Sequence, residues 1–329
     1  MENTENILKG KMAAAAETMK GSSRGILIVT HIFPDGDCLS SACALSLWLE
    51  SIGKKHALFC ADPLPESFLF LPNAKKFSQK ASLDDFDVVA ILDCACLSRT
   101  GLVDDLVQAR GKIKTIEIDH HPKSEDYADI EIRLPERSSA AEVLYLFFRQ
   151  NNIEISKPMA DCLLTGLVTD TGNLLFSSVN ENTIKTSSAL LLEGAAMPKI
   201  IKRTAQNKSL SAMKIWGKIL NNTRYHPSYK LVYSVLSWEE VAALKADFGE
   251  VGPAFDAASD ILNNVDGAKA ALFLREQEPG KIKGSLRSKH PGIDVSKVAE
   301  KLGGGGHSKA AAFRFDGHIE KTDGGWRIV

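Results

Sequence analysis

The sequence contains no hydrophobic run close to the ~20 residues that a helix needs to cross a bilayer. The apolar stretch MAAAA near the N-terminus is too short for the core of a signal peptide, and its surroundings are charged. The formal net charge is only -1, so no overall basic field is available to hold a long nucleic acid. We therefore expect a cytoplasmic protein that binds neither a membrane nor long nucleic acids.

Paired cysteines are also lacking. The six cysteines all lie in the first half of the chain, none forms a C-x-x-C pair, and several sit inside apolar runs. A reduced cysteine in such a run behaves as a small hydrophobic residue. The pattern argues against a disulfide framework and against a structural zinc site.

The first half of the sequence alternates strand-like and helix-like segments. Short apolar runs predict strands at 26–30, 57–60, 87–92 and 113–118, and a helical pattern that ends at Gly53 lies between the first two. Two further helices are predicted in SSAAEVLYLFFRQ, which begins with capping-box spacing, and in KPMADCLLTGLV. Such alternation predicts an α/β fold whose parallel sheet is covered by helices on both faces.

The second half changes character twice. After about residue 180 the chain is mostly polar and helical, and new strand-like runs follow the break at NNTRYHPSYK. These runs are KLVYSVL, AKAALFLRE, GKIKGSLRS and AAAFRFDG. We predict a catalytic domain at 1–205, a linker at 206–227 and a smaller α/β domain at 228–329.

Acidic and histidine side chains follow the predicted strands. HIFPDGD comes after the first strand, Asp93 directly after DVVAIL, and DHHP after IKTIEI, while Asp170 lies shortly after CLLTGLV. Ligands of open parallel sheets bind beyond the carboxyl ends of the strands, so these groups should converge there. Clustered carboxylates raise one another's pKa unless cations lie among them. Oxygen and imidazole donors without thiolate favour Mn²⁺ or Mg²⁺.

Each of these signals also has a plain structural explanation. A single D-x-D after a strand is usually a solvated turn, Asp93 alone can cap a helix, and His-His pairs are often structural or exposed. Cys38 beside Asp37 is better explained as a packed thiol than as a thiolate ligand. The repetition of the pattern after several strands favours a metal site, and its donors suit two ions ~3.5–4 Å apart, the arrangement of two-metal phosphoryl hydrolysis.

The motifs HIFPDGD, DCACLSRTG, DHHP and TDTGN, in this order and spacing, resemble those of the DHH phosphoesterase family, and within it the oligoribonuclease and pAp phosphatase branch. The resemblance implies that Asp93 bridges two metal ions, that Asp119 orients the histidines and that His121 faces the scissile phosphate as a general acid or charge stabiliser. The metal ligands it implies are His31, Asp35, Asp37, Asp93, His120 and Asp170. Phe33 and Ser40 depart from the family pattern, which usually has asparagine and glycine there. Arg99 is a candidate phosphate contact, although an exposed arginine at a helix start explains it equally well.

A glycine-rich segment near the C-terminus is the second informative stretch. Four glycines, 303–306, precede His307, and residues 281–309 contain seven Lys or Arg against two acidic residues. Glycines leave backbone N–H groups uncovered, so such a loop can surround an anion. The stretch resembles the DHH-associated C-terminal domain. The substrate-binding residues that this resemblance implies are Gly304, Gly305, Gly306, His307 and Arg287.

The sequence thus leads us to expect a hydrolase of short 5′-phosphorylated oligonucleotides and of pAp. The resemblance implies two divalent ions, Mn²⁺ before Mg²⁺, with a metal-bridging hydroxide as the nucleophile, and a substrate cleft between the two domains. Hydrolysis of pApA or cyclic dinucleotides, and of pyrophosphate or polyphosphate, are the alternatives within the same chemistry. A nucleotide-binding protein without activity is disfavoured because every candidate ligand is present. Whether the protein is a homodimer stays open.

Overall fold

The computed structural model describes the backbone of residues 2–176, 178–206, 209–249, 251–322 and 325–329, and the side chains of this part except those of 2–4, 206, 253, 256 and 307. The chain divides into two compact units, Met1–Asn207 and Lys208–Val329. Among the described residues, no helix has both the length and the apolar character that crossing a membrane requires.

The first unit consists of six strands and seven helices within its described part. The strands are β1 Ile26–Thr30, β2 His56–Phe59, β3 Phe77–Ser78, β4 Val88–Leu92, β5 Lys114–Asp119 and β6 Ile130–Arg133. The helices are α1 Glu2–Gly21, α2 Gly36–Ser51, α3 Val103–Gln108, α4 Ala140–Gln150, α5 Lys157–Asp170, α6 Glu181–Leu192 and α7 Met197–Ile201.

All six strands form one parallel sheet in the order β3-β2-β1-β4-β5-β6. Ile26 and Ile28 of β1 pack into the larger core with α1, α2, α4 and α5, whereas Leu27 and Val29 pack on the opposite face with Leu102 and α3. Both faces of the sheet are therefore buried, which explains why β1 and β4 are continuous apolar runs. The predicted α/β fold is confirmed.

Helix α1 was not predicted. Its residues Met12, Ala15, Ala16 and Met19 are buried, and they recur at helical spacing within a mostly charged segment. The short strands β3 and β6 were missed as well, because runs of two and four residues carry little periodic signal.

The second unit has a mixed six-stranded sheet in the order β11-β12-β10-β9-β8-β7 and a β13-β14 hairpin. Its strands are β7 Arg224–His226, β8 Leu231–Leu236, β9 Ala270–Glu278, β10 Lys281–Arg287, β11 Gly305–His307, β12 Ala310–Asp316, β13 Ile319–Thr322 and β14 Gly325–Ile328. Its helices are α8 Leu210–Asn221, α9 Trp238–Phe248, α10 Gly252–Leu262 and α11 Ser296–Lys301.

Most of the segment predicted as a linker, 206–227, is folded in the structure. It contains α8, whose Ile215 and Ile219 are buried in the core of the second unit, and β7, which pairs with β8. Residues 207 and 208 lie outside the described part. In the structure, α8 and β7 are thus part of the second unit.

Candidate active site

Three neighbouring strands of the first sheet end at the same level. Thr30 of β1 pairs with Leu92 of β4, and Leu92 pairs with Ile118 of β5. His31 follows β1, Asp93 follows β4, and the segment Asp119–His121 lies at the end of β5. All of these residues therefore lie at one edge of the sheet. The predicted convergence of these side chains is confirmed by their distances.

Asp93 lies at the centre of the cluster. Its Oδ2 is 3.8 Å from His31 Nε2, and its Oδ1 is 3.5 Å from His120 Nε2 and 3.3 Å from His121 Nδ1. Its backbone is left-handed, with a φ of 59°, which is unusual for a residue other than glycine. Oδ1 is buried and has no hydrogen-bond partner among the described residues. A buried carboxylate oxygen without a partner is costly unless a cation binds it.

Helix α2 presents the next two carboxylates. Asp35 caps this helix, since its Oδ1 accepts hydrogen bonds from the N–H groups of Asp37 and Cys38 at 3.0 and 3.1 Å. Its Oδ2 lies 3.6 Å from His31 Nε2. Asp37 accepts hydrogen bonds from the N–H groups of Ala140 and Ala141, at 2.6 and 3.0 Å, at the start of α4. The helix N-terminus thereby stabilises the Asp37 carboxylate.

Asp170 reaches the cluster from the last position of α5, with its Oδ2 3.6 Å from His120 Nε2. Two glycines allow α5 to pack this closely on α2. A Cβ on Gly36 would lie 2.3 Å from Thr169 Oγ1, and a Cβ on Gly166 would lie 2.6 Å from Asp37 Oδ1. Asp170 therefore joins the strand-end residues from the end of a helix, the one that the sequence predicted in KPMADCLLTGLV.

The hydrogen bonds of the histidines direct their Nε2 atoms toward the carboxylates. His31 Nδ1 lies 2.7 Å from the Ile32 carbonyl, and His120 Nδ1 lies 3.4 Å from the Arg137 carbonyl. A ring that donates from Nδ1 to a carbonyl keeps Nε2 free to accept a proton or a metal. Both histidines thus present Nε2 to the carboxylates, the orientation that a metal ligand requires.

Asp119 and His121 form a buried pair. Asp119 Oδ1 lies 2.8 Å from His121 Nδ1 and accepts the His121 backbone N–H at 2.8 Å, while Oδ2 accepts the Ala95 N–H at 2.7 Å. Burial alone would raise the pKa of Asp119, but the hydrogen bond and charge of His121, helped by Arg133, lower it instead. Asp119 is therefore ionised and fixes the orientation of the His121 ring.

Sequence reasoning missed the residues behind this pair. Arg133 is buried at the end of β6, bonds the His121 carbonyl at 2.9 Å, and forms an ion pair with buried Glu117. Glu117 also accepts the Tyr127 hydroxyl. An arginine inside the segment EIRLP has no motif around it, so only the adjacency of β5 and β6 identifies its partners.

A second supporting group was also missed. Glu142, fully buried in α4, accepts hydrogen bonds from Arg137 Nη1 at 3.1 Å and from the N–H and hydroxyl of Ser138. Ser139 caps α4 as its spacing predicted, by accepting the Glu142 N–H at 3.1 Å. Glu142 thereby fixes the loop whose Arg137 carbonyl faces His120.

Burial and mutual repulsion shape the acidity of the cluster. Burial, followed by the charge of Asp170, raises the pKa of Asp37 to about 7. Burial, followed by the charge of Asp35, raises the pKa of Asp170 to about 7. Burial and the charge of Asp37 also raise the pKa of Asp93 well above its usual range. Cations bound among these carboxyls would hold them ionised at neutral pH.

The donor set fits divalent ions. Three groups of side chains have ligand atoms that all lie within 4.8 Å of one another: His31 with Asp35 and Cys38, Asp93 with His120 and His121, and Asp37 with His120 and Asp170. Burial raises the pKa of Cys38 well above its usual range, so this thiol stays protonated and is a poor ligand. The remaining donors are carboxylate and imidazole, which suit Mn²⁺ and Mg²⁺.

Arg99 lies in a single helical turn, Leu97–Thr100, next to the cluster. Its carbonyl accepts the Ile32 N–H at 2.8 Å, which ties this turn to the loop after β1. Its positive charge helps to lower the pKa of Asp35. The hydrogen bond and charge of His31 lower this pKa more, and together these effects outweigh the opposing effect of burial. The structure thus places a cationic side chain within electrostatic reach of the candidate ligands.

The other predicted substrate residues belong to the second unit. Arg287 pairs with Ala310, and Ala310 pairs with His307, so Arg287 and His307 sit at one level of the sheet, about 10 Å apart on its strands. Arg287 Nε also donates to Asp260 Oδ1 at 2.6 Å. The side chain of His307 lies outside the described residues.

The glycines before His307 were predicted to bind an anion, but the structure shows that some of them are also needed for close packing of the backbone. The N–H groups of Gly303 and Gly304 donate to the carbonyls of Glu300 and Ala299, so the expectation that all four leave their N–H groups uncovered was wrong for these two. A Cβ on Gly304 would lie 2.1 Å from the Ala312 carbonyl, and one on Gly306 would lie 2.5 Å from the Ala310 carbonyl. Gly305 has open space around it, in an edge strand whose outer N–H groups face away from β12.

The chain matches known families over both units. Residues 25–167 match the N-terminal domain of the DHH family, and residues 229–323 match the DHHA1 domain. Over 308 residues the chain is 30% identical to the bifunctional oligoribonuclease and PAP phosphatase NrnA of Thermus thermophilus, covering 93% of this chain and 89% of that protein. The NrnA protein of Bacillus subtilis is 27% identical, with 87% of this chain and 88% of that protein covered.

Among solved structures, an exopolyphosphatase-related protein from Bacteroides fragilis superposes with a TM-score of 0.84 at 26% identity, covering 93% of this chain and 91% of that one. The fold and the acidic centre define a hydrolase that acts on phosphate esters. The chain belongs to the DHH family.

The raised pKa values predict how the stability of the metal-free protein depends on pH. Asp37 and Asp170, with pKa values of about 7 in the folded state, bind protons more tightly there than in the unfolded chain, where the value is ~3.9. Their contribution to stability is therefore present at low pH and is lost as the pH rises toward 7. Asp37 should contribute more of this pH dependence than Asp170, because the side chain of Asp37 is 1% exposed and that of Asp170 is 32% exposed. We expect the unfolding temperature of the metal-free protein to fall between pH 5 and pH 8.

Thermal unfolding in chelator, with and without added Mn²⁺, measures this effect. Mn²⁺ should raise the unfolding temperature more at pH 8 than at pH 5, because protons compete with the metal at low pH. The Asp170→Asn variant should show a smaller fall with pH than the wild type. An unfolding temperature that rises between pH 5 and pH 8 without metal contradicts the account of the cluster.

Proposed function

We propose that this chain hydrolyses short 5′-phosphorylated oligonucleotides, and pAp to AMP, at a centre of two divalent ions, with Mn²⁺ as the resident metal. The observation that carries the proposal is the cluster that Asp93 forms with the other three aspartates and the two histidines, in which the buried Oδ1 of Asp93 has no hydrogen-bond partner among the described residues. The oligoribonuclease and PAP phosphatase activities for which the NrnA relatives are named support the substrate class. The cytoplasmic location stays a prediction from the sequence, and the oligomeric state stays open.

The positions of the residues in the cluster suggest a role for each of them in hydrolysis. The residues that would hold the ions are His31, Asp35, Asp37, Asp93, His120 and Asp170, and Asp93 is central among them because it faces both His31 and His120. Ions held there supply an activated water and stabilise the charge that develops at phosphorus. His121, whose ring is held by Asp119, protonates the leaving oxygen. Arg99 binds a phosphate oxygen through its planar guanidinium.

In the second unit, we assign substrate binding to Arg287, to the strand Gly305–His307 and to the adjacent Gly304. Arg287 and His307 share Ala310 as their strand neighbour, so one phosphate or base can bind across β12. The outer N–H groups of the edge strand β11 offer further donors to an anion.

This assignment predicts a selective effect of Arg287→Ala. Loss of a charge-assisted contact to substrate raises KM for a 5′-phosphorylated dinucleotide by roughly 10-fold or more. Hydrolysis of bis-p-nitrophenyl phosphate, which is too small to need this contact, should change much less. Arg314→Ala, which removes an exposed arginine from β12, is the matched control and should leave the hydrolysis of both substrates unchanged. Equal losses on both substrates with Arg287→Ala contradict the assignment.

The function is tested by product-resolved hydrolysis in Mn²⁺ of 5′-labelled RNAs of two to five nucleotides, a 24-mer, pAp, pApA and pyrophosphate. We expect the short RNAs to be preferred over the 24-mer, with pAp converted to AMP. Turnover of pyrophosphate or polyphosphate alone contradicts the proposal. That outcome favours the alternative to which the exopolyphosphatase-related name of the Bacteroides fragilis protein points.

A further inference from the structure

Phe33 occupies an unusual position in the loop after β1. It lies between His31 and Asp35, its side chain is 74% exposed, and its φ is 55°. Its backbone N–H donates to Asp62 Oδ2 at 2.7 Å, while the next residue, Pro34, is buried. The loop is therefore held in one conformation, and the aromatic ring stands in solvent.

A phenylalanine at this position is favoured neither by the backbone conformation of the loop nor by its packing. A left-handed backbone is unfavourable for a bulky side chain and is readily adopted by asparagine or glycine. An aromatic ring left in water gains none of the free energy that burial provides. Both properties point away from a structural role, and strained residues of this kind cluster at functional sites.

The position of the ring points to what it binds. The loop starts and ends at candidate metal ligands, and His31 Nε2 is 3.6 Å from Asp35 Oδ2, so Phe33 belongs to a short loop held at both ends beside the centre where the scissile phosphate would bind. An aromatic face beside a phosphate-binding centre matches a nucleotide, whose base lies one sugar away from its phosphate. Bases stack on aromatic side chains irrespective of sequence.

A second exposed apolar residue follows another candidate metal ligand. Leu175 is 75% exposed and follows Asp170 by five residues. The chain before it is left-handed at Gly172, Asn173 and Leu174, with φ values of 55°, 62° and 64°. The close approach of Gly36 to Thr169 brings the loop of Phe33 near this turn. The edge that carries the carboxylates is thus bordered by exposed apolar surface.

We propose that the ring of Phe33 is a base-stacking subsite that binds a nucleobase adjacent to the scissile phosphate. The proposal rests on the function proposed above, and it extends that function by naming a binding surface in the first unit for the base.

The test compares pApA with two analogues, each lacking one of its adenines. For wild-type protein in Mn²⁺, we expect KM to rise about tenfold for one analogue, the range that loss of one stacked base gives. Phe33→Asn should raise KM for pApA by a similar factor and should not raise it further for that analogue, because both changes remove the same contact. Phe33→Tyr should keep the wild-type values, and Leu192→Asn, at an exposed leucine ending α6, is the matched control.

Two readouts separate the outcomes. The unfolding temperature of Phe33→Asn should equal or exceed that of the wild type, because asparagine suits a left-handed backbone. An unchanged KM for pApA, or an equal rise of KM for all three substrates, overturns the stacking subsite while leaving the proposed function standing. A wild-type protein that cleaves none of the three dinucleotides contradicts the proposed function itself, and the subsite with it.

Discussion

Replacing Asp93 by asparagine should abolish hydrolysis, with a loss of roughly 10³-fold or more, because this carboxylate faces His31, His120 and His121 at once. Asparagine keeps the shape of the side chain and removes its charge, so the proposed metal centre would lose its central carboxylate. The assay is the Mn²⁺-dependent cleavage of a 5′-labelled dinucleotide, with bound metal measured in parallel.

The same substitution should leave the fold intact. Burial and the charge of Asp37 raise the pKa of Asp93 above its unfolded value, so this carboxyl lowers the stability of the metal-free protein as the pH rises to neutral. Metal-free Asp93→Asn should therefore be at least as stable as the wild type at pH 8. Asp104→Asn, at an exposed position in the first turn of α3, is the control and should retain full activity. A variant at position 93 that retains wild-type rates with full metal content contradicts the assignment of Asp93.

Replacing His121 by glutamine should lower kcat by about 10²–10⁴-fold, the usual contribution of a general acid. The hydrogen bond between His121 Nδ1 and Asp119 fixes the ring, so its other nitrogen is the one that delivers a proton. The loss should be much smaller for a substrate with a p-nitrophenolate leaving group, because this anion departs without being protonated. Metal content should stay at the wild-type level.

Three outcomes distinguish the roles of His121. A loss confined to substrates with a poor leaving group supports the general acid. Equal losses on both kinds of substrate, with metal retained, assign the ring to stabilising charge instead. A loss of bound metal makes His121 a ligand, which its distance of 3.3 Å from Asp93 Oδ1 allows. His226→Gln, at an exposed histidine of β7, should have no effect.

The sequence predicted the catalytic edge because strand ends in a parallel sheet must meet. Asp93 and His120 each follow a buried apolar run, and the adjacency of β1, β4 and β5 then places them together. Asp170 was included from its motif, although it reaches the site from the end of α5. The assignment of these residues as metal ligands remains a proposal that the substitutions above test.

What the sequence did not reveal depends on contacts between distant segments. Arg133 and Glu142 support Asp119 and the Arg137 loop through buried ion pairs, and neither lies in a recognisable motif. The glycines at 304 and 306 were assigned to anion binding, yet the Ala312 and Ala310 carbonyls also exclude a side chain there. Packing of this kind becomes visible only once the strand pairing is known. The exposure of Phe33 was likewise invisible, because a phenylalanine next to a strand predicts burial.

The most direct test of the central claim is a metal titration of chelator-treated protein, with hydrolysis of a 5′-phosphorylated trinucleotide as the readout. The account predicts no hydrolysis before metal is added, and activity that rises until two Mn²⁺ ions per chain are bound and then levels off. Full activity with a single bound ion contradicts the two-ion centre. Undiminished hydrolysis by protein shown to contain no metal contradicts the whole account of the acidic edge.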